Sequence, residues 1–143
     1  MPTDRTNPCN AGKFSLMLVP DGLLYSSDHE WARVDAGRIV VGITDYAQDA
    51  LGDVVYVSIH PVGTVVASGE TCGEVESTKS VSDIFAPASG RIVEVNESLN
   101  DSPETLNNDP YGSGWLFVLE FDDPAVLESL LDAPSYQTLT EGS

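Results

Sequence analysis

The chain has 143 residues, 41% of them hydrophobic, and sets 6 Lys plus Arg against 23 Asp plus Glu for a formal net charge of −17. That length suits one domain and lets folding bury roughly two-thirds of the unfolded surface. No apolar run approaches the ~20 residues of a membrane-spanning helix, and so acidic a chain has no basic face for nucleic acid or anionic lipid, so neither is an expected partner. Basic patches on other proteins suit it better.

Residues 1–20 carry few structural signals. Phe14 to Val19 is apolar but too short for a secretory h-region, and the Arg-rich look of a transit peptide is missing. This stretch reads as a loosely ordered extension, the protein as cytoplasmic, and residues 21–143 as the folded domain. The two cysteines, Cys9 and Cys72, form no CxxC pair and no disulfide framework, which fits a reducing compartment.

Along the domain, short runs rich in β-branched residues alternate with Gly, Pro, Asn and Asp. Strands are predicted at Arg38 to Ile43, Asp53 to Ile59, Glu70 to Glu76, Val81 to Ala86, Arg91 to Val95 and Trp115 to Phe121. Their number and spacing predict a mostly β protein, a flattened antiparallel barrel or sandwich. Thr44 or Asp45 can cap a short helix near 45–51 that stops at Gly52. A second helix is expected near 124–131, capped by Asp123 and opened by Pro124, with Val126, Leu127, Leu130 and Leu131 at helical spacing; a short turn around Ser135 to Thr138 follows.

Gly63 to Glu70 aligns with Gly90 to Glu97 at an offset of 27, matching in Gly, Val and Glu. Either two Gly-started strands look alike, or a pseudo-twofold relates them. In the second case a hairpin turn falls near the midpoint, residue 80.

No independent catalytic centre is visible. GxSxG, GxxxxGK[ST] and GxGxxG are absent, and Gly112-Ser113-Gly114 reads as a turn. His29 and His60 show no metal-ligand spacing, so no metal is expected, and Asp28 and Glu30 beside His29 suggest a solvated or salt-bridged imidazole.

Lys79 is one of only two lysines, and it sits in Glu76 to Asp83, a run of polar turn formers between two strands. It can be a solvated lysine that discourages edge pairing. It can equally be an attachment point, an amine held out on a fixed turn where an acylating enzyme can reach it.

The segment Gly73 to Gly90 resembles the lipoyl-attachment motif of the glycine cleavage system H-protein family. So do His29-Glu30-Trp31, Val41 to Asp45, Leu51 to Tyr56, Glu94 to Asn96, Asp109 to Trp115 and Leu130 to Asp132, so the resemblance runs from about residue 22 to 138. Tyr46, Ser80 and Phe85 stand where the family often has His, Ala and Tyr. The resemblance implies a lipoyl/biotinyl-carrier-like hybrid fold and a non-catalytic carrier, with lipoate as an amide on Lys79. It implies that the carrier takes an aminomethyl group from a pyridoxal-phosphate glycine decarboxylase to a tetrahydrofolate-dependent aminomethyltransferase. Dihydrolipoamide dehydrogenase then reoxidises the dithiol, and a lipoate ligase or lipoyl transferase loads the lysine. Glu30 and Asp83 are the carboxylates expected in a cleft that shelters the loaded arm, while Glu76, Ser77 and Val81 shape the surface read by the ligase. Trp31 and Trp115 are expected to pack, and the carrier to work as a monomer. The alternatives are a lipoyl relay to 2-oxoacid dehydrogenase carriers or a biotinyl-type domain; a biotinyl lysine is usually flanked by Met, and here Thr78 and Ser80 flank it.

Overall fold

A computed structural model of the chain describes residues 19–121 and 123–141. Most of the expected extension, with Cys9 and Lys13, lies outside the described residues.

Two antiparallel sheets make up the body. The first runs in the order β1 (Leu24–Tyr25), β2 (Glu30–Asp35), β3 (Arg38–Ile43), β9 (Phe117–Glu120), β8 (Gly90–Val95), β5 (Val65–Val66). The second has β6 (Thr71–Ser77) between β4 (Val54–Ile59) and β7 (Val81–Phe85). They remain two open sheets, so the sandwich rather than the closed barrel describes them. Ile39, Val41, Ile92, Phe117 and Leu119 from the first meet Val57, Val75 and Ile84 from the second in one buried core. Period-2 alternation selects those residues, because successive strand side chains point to opposite faces.

A smaller cluster forms around Trp31, Tyr25, Ala133 and Tyr136. Trp31 stands opposite Gly42 in the β2–β3 register, and a Cβ at Gly42 would lie 2.6 Å from the indole. Glycine is what lets the ring lie flat there. The indole N–H donates to the Pro110 carbonyl at 2.9 Å.

The repeat lies in one ribbon. Val65 pairs with Arg91 and Val66 with Gly90, Gly69 and Ala86 continue the ladder, and β6 pairs β7 up to Glu76 and Val81. Its two copies therefore flank each other at β5 and β8, and the ribbon turns at residues 77–80.

Helix α1 is Asp45–Leu51, capped by Thr44, whose hydroxyl accepts from the Ala47 N–H at 3.2 Å, and closed at Gly52 with φ +84°. Short helices α2 (Ser98–Asp101) and α3 (Thr105–Asn108) join β8 to β9. The helix expected near 124–131 is instead a 3-10 turn, Pro124–Leu127, with Asp123 accepting from the Ala125 N–H. Leu131 and Tyr25 exchange backbone hydrogen bonds at 2.7 Å, which pulls the chain out of helical geometry. The C-terminal helix, α4, is Ala133–Glu141, and the Asp132 side chain accepts from the Ser135 N–H.

Candidate functional site

Lys79 sits at the tip of the β6–β7 hairpin, and the tip is pinned from both sides. Ser77 is only 7% exposed, and its hydroxyl oxygen accepts from the N–H groups of Lys79 and Ser80, both at 3.1 Å. Its hydroxyl donates to the Ser80 carbonyl at 3.2 Å, and its own N–H does so at 2.8 Å. From below, the Thr78 N–H donates to the Asp53 carbonyl at 3.1 Å, tying the turn to the loop after α1. The Lys79 side chain is exposed and its stem crosses Gly52, where an added Cβ would stand 3.1 Å from Cε. Its ammonium has no ion pair among the described residues. Arg38 and Arg91, by contrast, both pair with Glu120 on the first sheet, and Arg33 lies 5.6 Å from the Trp31 ring centre. The amine is reachable while its backbone is fixed.

The loop under the lysine is held by Asn107, which the sequence does not single out. Its amide donates to the Gly52 carbonyl at 2.8 Å and the Gln48 side chain at 3.0 Å, and its oxygen accepts from the Val54 N–H at 2.9 Å. Its partners lie 53 to 59 positions away, beyond any local pattern. Two of the anticipated recognition residues face solvent. Glu76 and Val81 are register partners near the tip, both exposed, whereas the Ser77 hydroxyl faces into the turn.

Beside the tip lies a cleft of about 280 Å³, with Asp28, His29, Tyr46, Leu51, Val81 and Asp83 among its walls. Two larger grooves, of about 500 and 470 Å³, lie along β5 and β4, away from the tip. Asp83 is exposed on β7 opposite Glu74. Glu30 is placed differently, 2% exposed and inside the wall between the sheets. One carboxyl oxygen accepts from the Ser26 hydroxyl at 2.7 Å and the other from the Phe85 N–H at 3.0 Å, so this side chain staples β2 to the end of β7. Burial pushes its carboxyl up to about 7 against those two hydrogen bonds, and the Asp28 carboxylate adds to the rise. The fold thus brings Asp83 to the cleft together with Asp28, and sets Glu30 behind it.

His29 holds a left-handed backbone, φ +70°, uncommon for a residue with a side chain. Its ring stacks on Tyr46 at 4.6 Å, and Nδ1 lies 2.7 Å from the Tyr136 hydroxyl. Burial holds the imidazole below the usual histidine range, while the Asp28 carboxylate pulls the other way. Cys72 is fully buried, its thiol donates to the Ile84 carbonyl, and burial pushes it up to about 12, so it is no nucleophile at neutral pH. Among the described residues no helix is long and apolar enough to cross a membrane.

Comparison with known proteins agrees with this geometry. The glycine cleavage H-protein family profile matches residues 23–143. A glycine cleavage system H protein of Anaeromyxobacter sp. strain K is 54% identical over 125 residues, covering 87% of this chain and 98% of that one. Its counterpart in Escherichia coli O7:K1 is 52% identical over 124 residues, covering 86% and 96%. The crystal structure of a glycine cleavage system H protein from Mycobacterium marinum superposes with a TM-score of 0.77 at 46% identity, covering 87% of this chain and all of that one. With the lysine-tipped hairpin, the two-sheet body and near full-length identity in agreement, the chain belongs to the glycine cleavage H-protein family.

Proposed function

We propose that this chain, a non-catalytic carrier subunit of the glycine cleavage system, bears lipoate as an amide on Lys79. The observation that carries the reading is the exposed Lys79 amine on a turn whose backbone is fixed by Ser77 and Asp53. An acylating enzyme needs both features, since the nitrogen must enter its site while the neighbouring backbone supplies the recognised shape.

The residues present fit the group. The lysine stem extends the tether, and the cleft beside it offers apolar Ile43, Leu51 and Ile84 under an acidic rim of Asp28 and Asp83. When attached, lipoate supplies a dithiolane that can be reduced and loaded with an aminomethyl group. The chain's own residues then position and shelter. Asp83 and Asp28 can hold an ammonium by charge-assisted hydrogen bonds, and the apolar floor excludes water from a labile adduct. Glu30 acts from behind by fixing the Phe85 end of β7, and reaches the cleft only if its bonds to Ser26 and Phe85 break. Glu76 and Val81 supply the exposed surface for a lipoate ligase or lipoyl transferase, and Ser77 shapes it from inside the turn.

The proposed partners in turnover are the pyridoxal-phosphate glycine decarboxylase, the tetrahydrofolate-dependent aminomethyltransferase and the flavin-dependent dihydrolipoamide dehydrogenase. The working form is proposed to be a cytoplasmic monomer. The test is mass spectrometry of protein made with lipoate and its ligase. One lipoyl increment on the Lys79 peptide, lost in Lys79→Arg while the fold persists, is expected. A biotin increment, or glycine cleavage sustained by Lys79→Arg, overturns the reading.

A further inference from the structure

The C-terminal helix meets His29, a wall residue of the cleft, through Tyr136. Tyr136 and Thr44 are both fully buried. The Tyr136 oxygen lies 2.7 Å from Thr44 Oγ1 and 2.7 Å from His29 Nδ1. Thr44 Oγ1 already accepts the Ala47 N–H that caps α1. Among the described residues its hydroxyl hydrogen then has one acceptor within reach, Tyr136. A buried O–H without an acceptor is costly, so Thr44 donates to Tyr136. The Tyr136 hydrogen is thereby committed to His29, whose Nδ1 must be bare to receive it.

We propose that Tyr136 is a positioning residue for the cleft: a one-way chain from Thr44 through Tyr136 to His29 holds the imidazole neutral, with its hydrogen on Nε2, so that the wall accepts a cationic arm. Protonating Nδ1 sets N–H against O–H. Relief requires Tyr136 to turn toward Thr44, which strands the Thr44 hydrogen. The other titratable groups around the imidazole are Asp28 on its own loop, Tyr46 stacked from α1, Glu30 next in the chain and Asp83 across the cleft. Asp28 favours the charged ring; burial and the hydrogen-bond chain oppose it. A charged imidazole would repel an ammonium resting between Asp28 and Asp83, whereas a neutral one does not. This consequence rests on the reading of the cleft as the loaded arm's shelter.

Tyr136→Phe keeps the ring that stacks on Tyr25 at 4.7 Å and removes only the hydroxyl. In ¹⁵N NMR of the unloaded full chain, the Nε2–H tautomer of His29 is expected. In Tyr136→Phe the tautomers mix and the ring protonates at higher pH. Thr44→Val leaves Tyr136 free to donate and should retain the tautomer even if α1 is weakened. An Nδ1–H tautomer in the parent protein, or an unchanged His29 titration in Tyr136→Phe, overturns the chain of donors. In lipoylated protein charged with an aminomethyl group, the lifetime of that group at pH 6 should fall about threefold or more in Tyr136→Phe and match the parent at pH 8. Equal lifetimes at both pH values, with His29 shifted, overturn the link between His29 charge and the arm. If the parent protects the adduct no better than free lipoamide does, the shelter reading itself fails, while the tautomer result stands.

Discussion

Burying Glu30 ties stability to pH through one carboxyl. Unfolded, it titrates near 4.5; folded, at about 7, so between those values the folded chain holds the extra proton. Its contribution is fully present below about 4.5 and is lost as pH rises through about 7. Glu30→Gln mimics the neutral form and keeps an acceptor for Phe85. Relative to the parent, its unfolding free energy should rise between pH 4.5 and 8 by up to about 3 kcal/mol in urea titrations. The lowered His29 works in the opposite sense, stabilising as pH rises, and cancels in that comparison. The hairpin under Lys79 was legible because polar turn formers separate two strand-like runs, whereas the lysine's role was signalled only by the family motif. Tyr136 and Asn107 were not, since what they do is defined by partners 53 to 107 positions away. Nor does a sequence show that a carboxyl in a charged-looking motif is walled in.

At the level of elements, the hairpin owes its stiffness to a helix it does not touch in sequence. Asn107→Ala removes three hydrogen bonds to the 48–54 segment and leaves the Gly52 carbonyl and Val54 N–H without their partner. A loss of about 1–3 kcal/mol in stability is expected, with slower lipoylation of Lys79 by purified ligase. Helix α1 was readable to within a residue because Thr44 or Asp45 and Gly52 mark its ends chemically, and the structure settles the cap on Thr44. Strand β2 was not: its first three residues are buried and its last three exposed, so no alternation exists to detect. β1 and β5, at two residues each, are too short to show a period. The 124–131 segment has helical spacing, yet pairing of Leu131 with Tyr25 outweighs it, and the longer helix starts only at Ala133, where among the described residues Ala133 and Tyr136 are the buried ones.

Across the whole molecule, charge is unevenly placed. Three of the described cations are occupied on the first sheet, while Glu74, Glu76, Asp53 and Asp83 stand exposed around the hairpin. Together with the net charge of −17, this predicts electrostatic steering toward basic enzyme mouths. Raising NaCl from about 20 to 300 mM should lower kcat/KM for lipoylation several-fold with little change in kcat, because the Debye length falls from about 20 to about 6 Å and the attraction no longer reaches an approaching partner. A kcat/KM indifferent to salt would mean that acidity serves only solubility. The acidic balance was plain from composition; which acids stand without a cation beside them was not, because only the fold decides where the few cations are spent.

Asp53 and Asn107 buttress Lys79 from outside the ribbon, so the modification signal is not a portable tag. A peptide copied from residues 71–85, or grafted onto another scaffold, would keep every neighbouring letter yet lose its footing. The address read by the acylating enzyme is written in three dimensions.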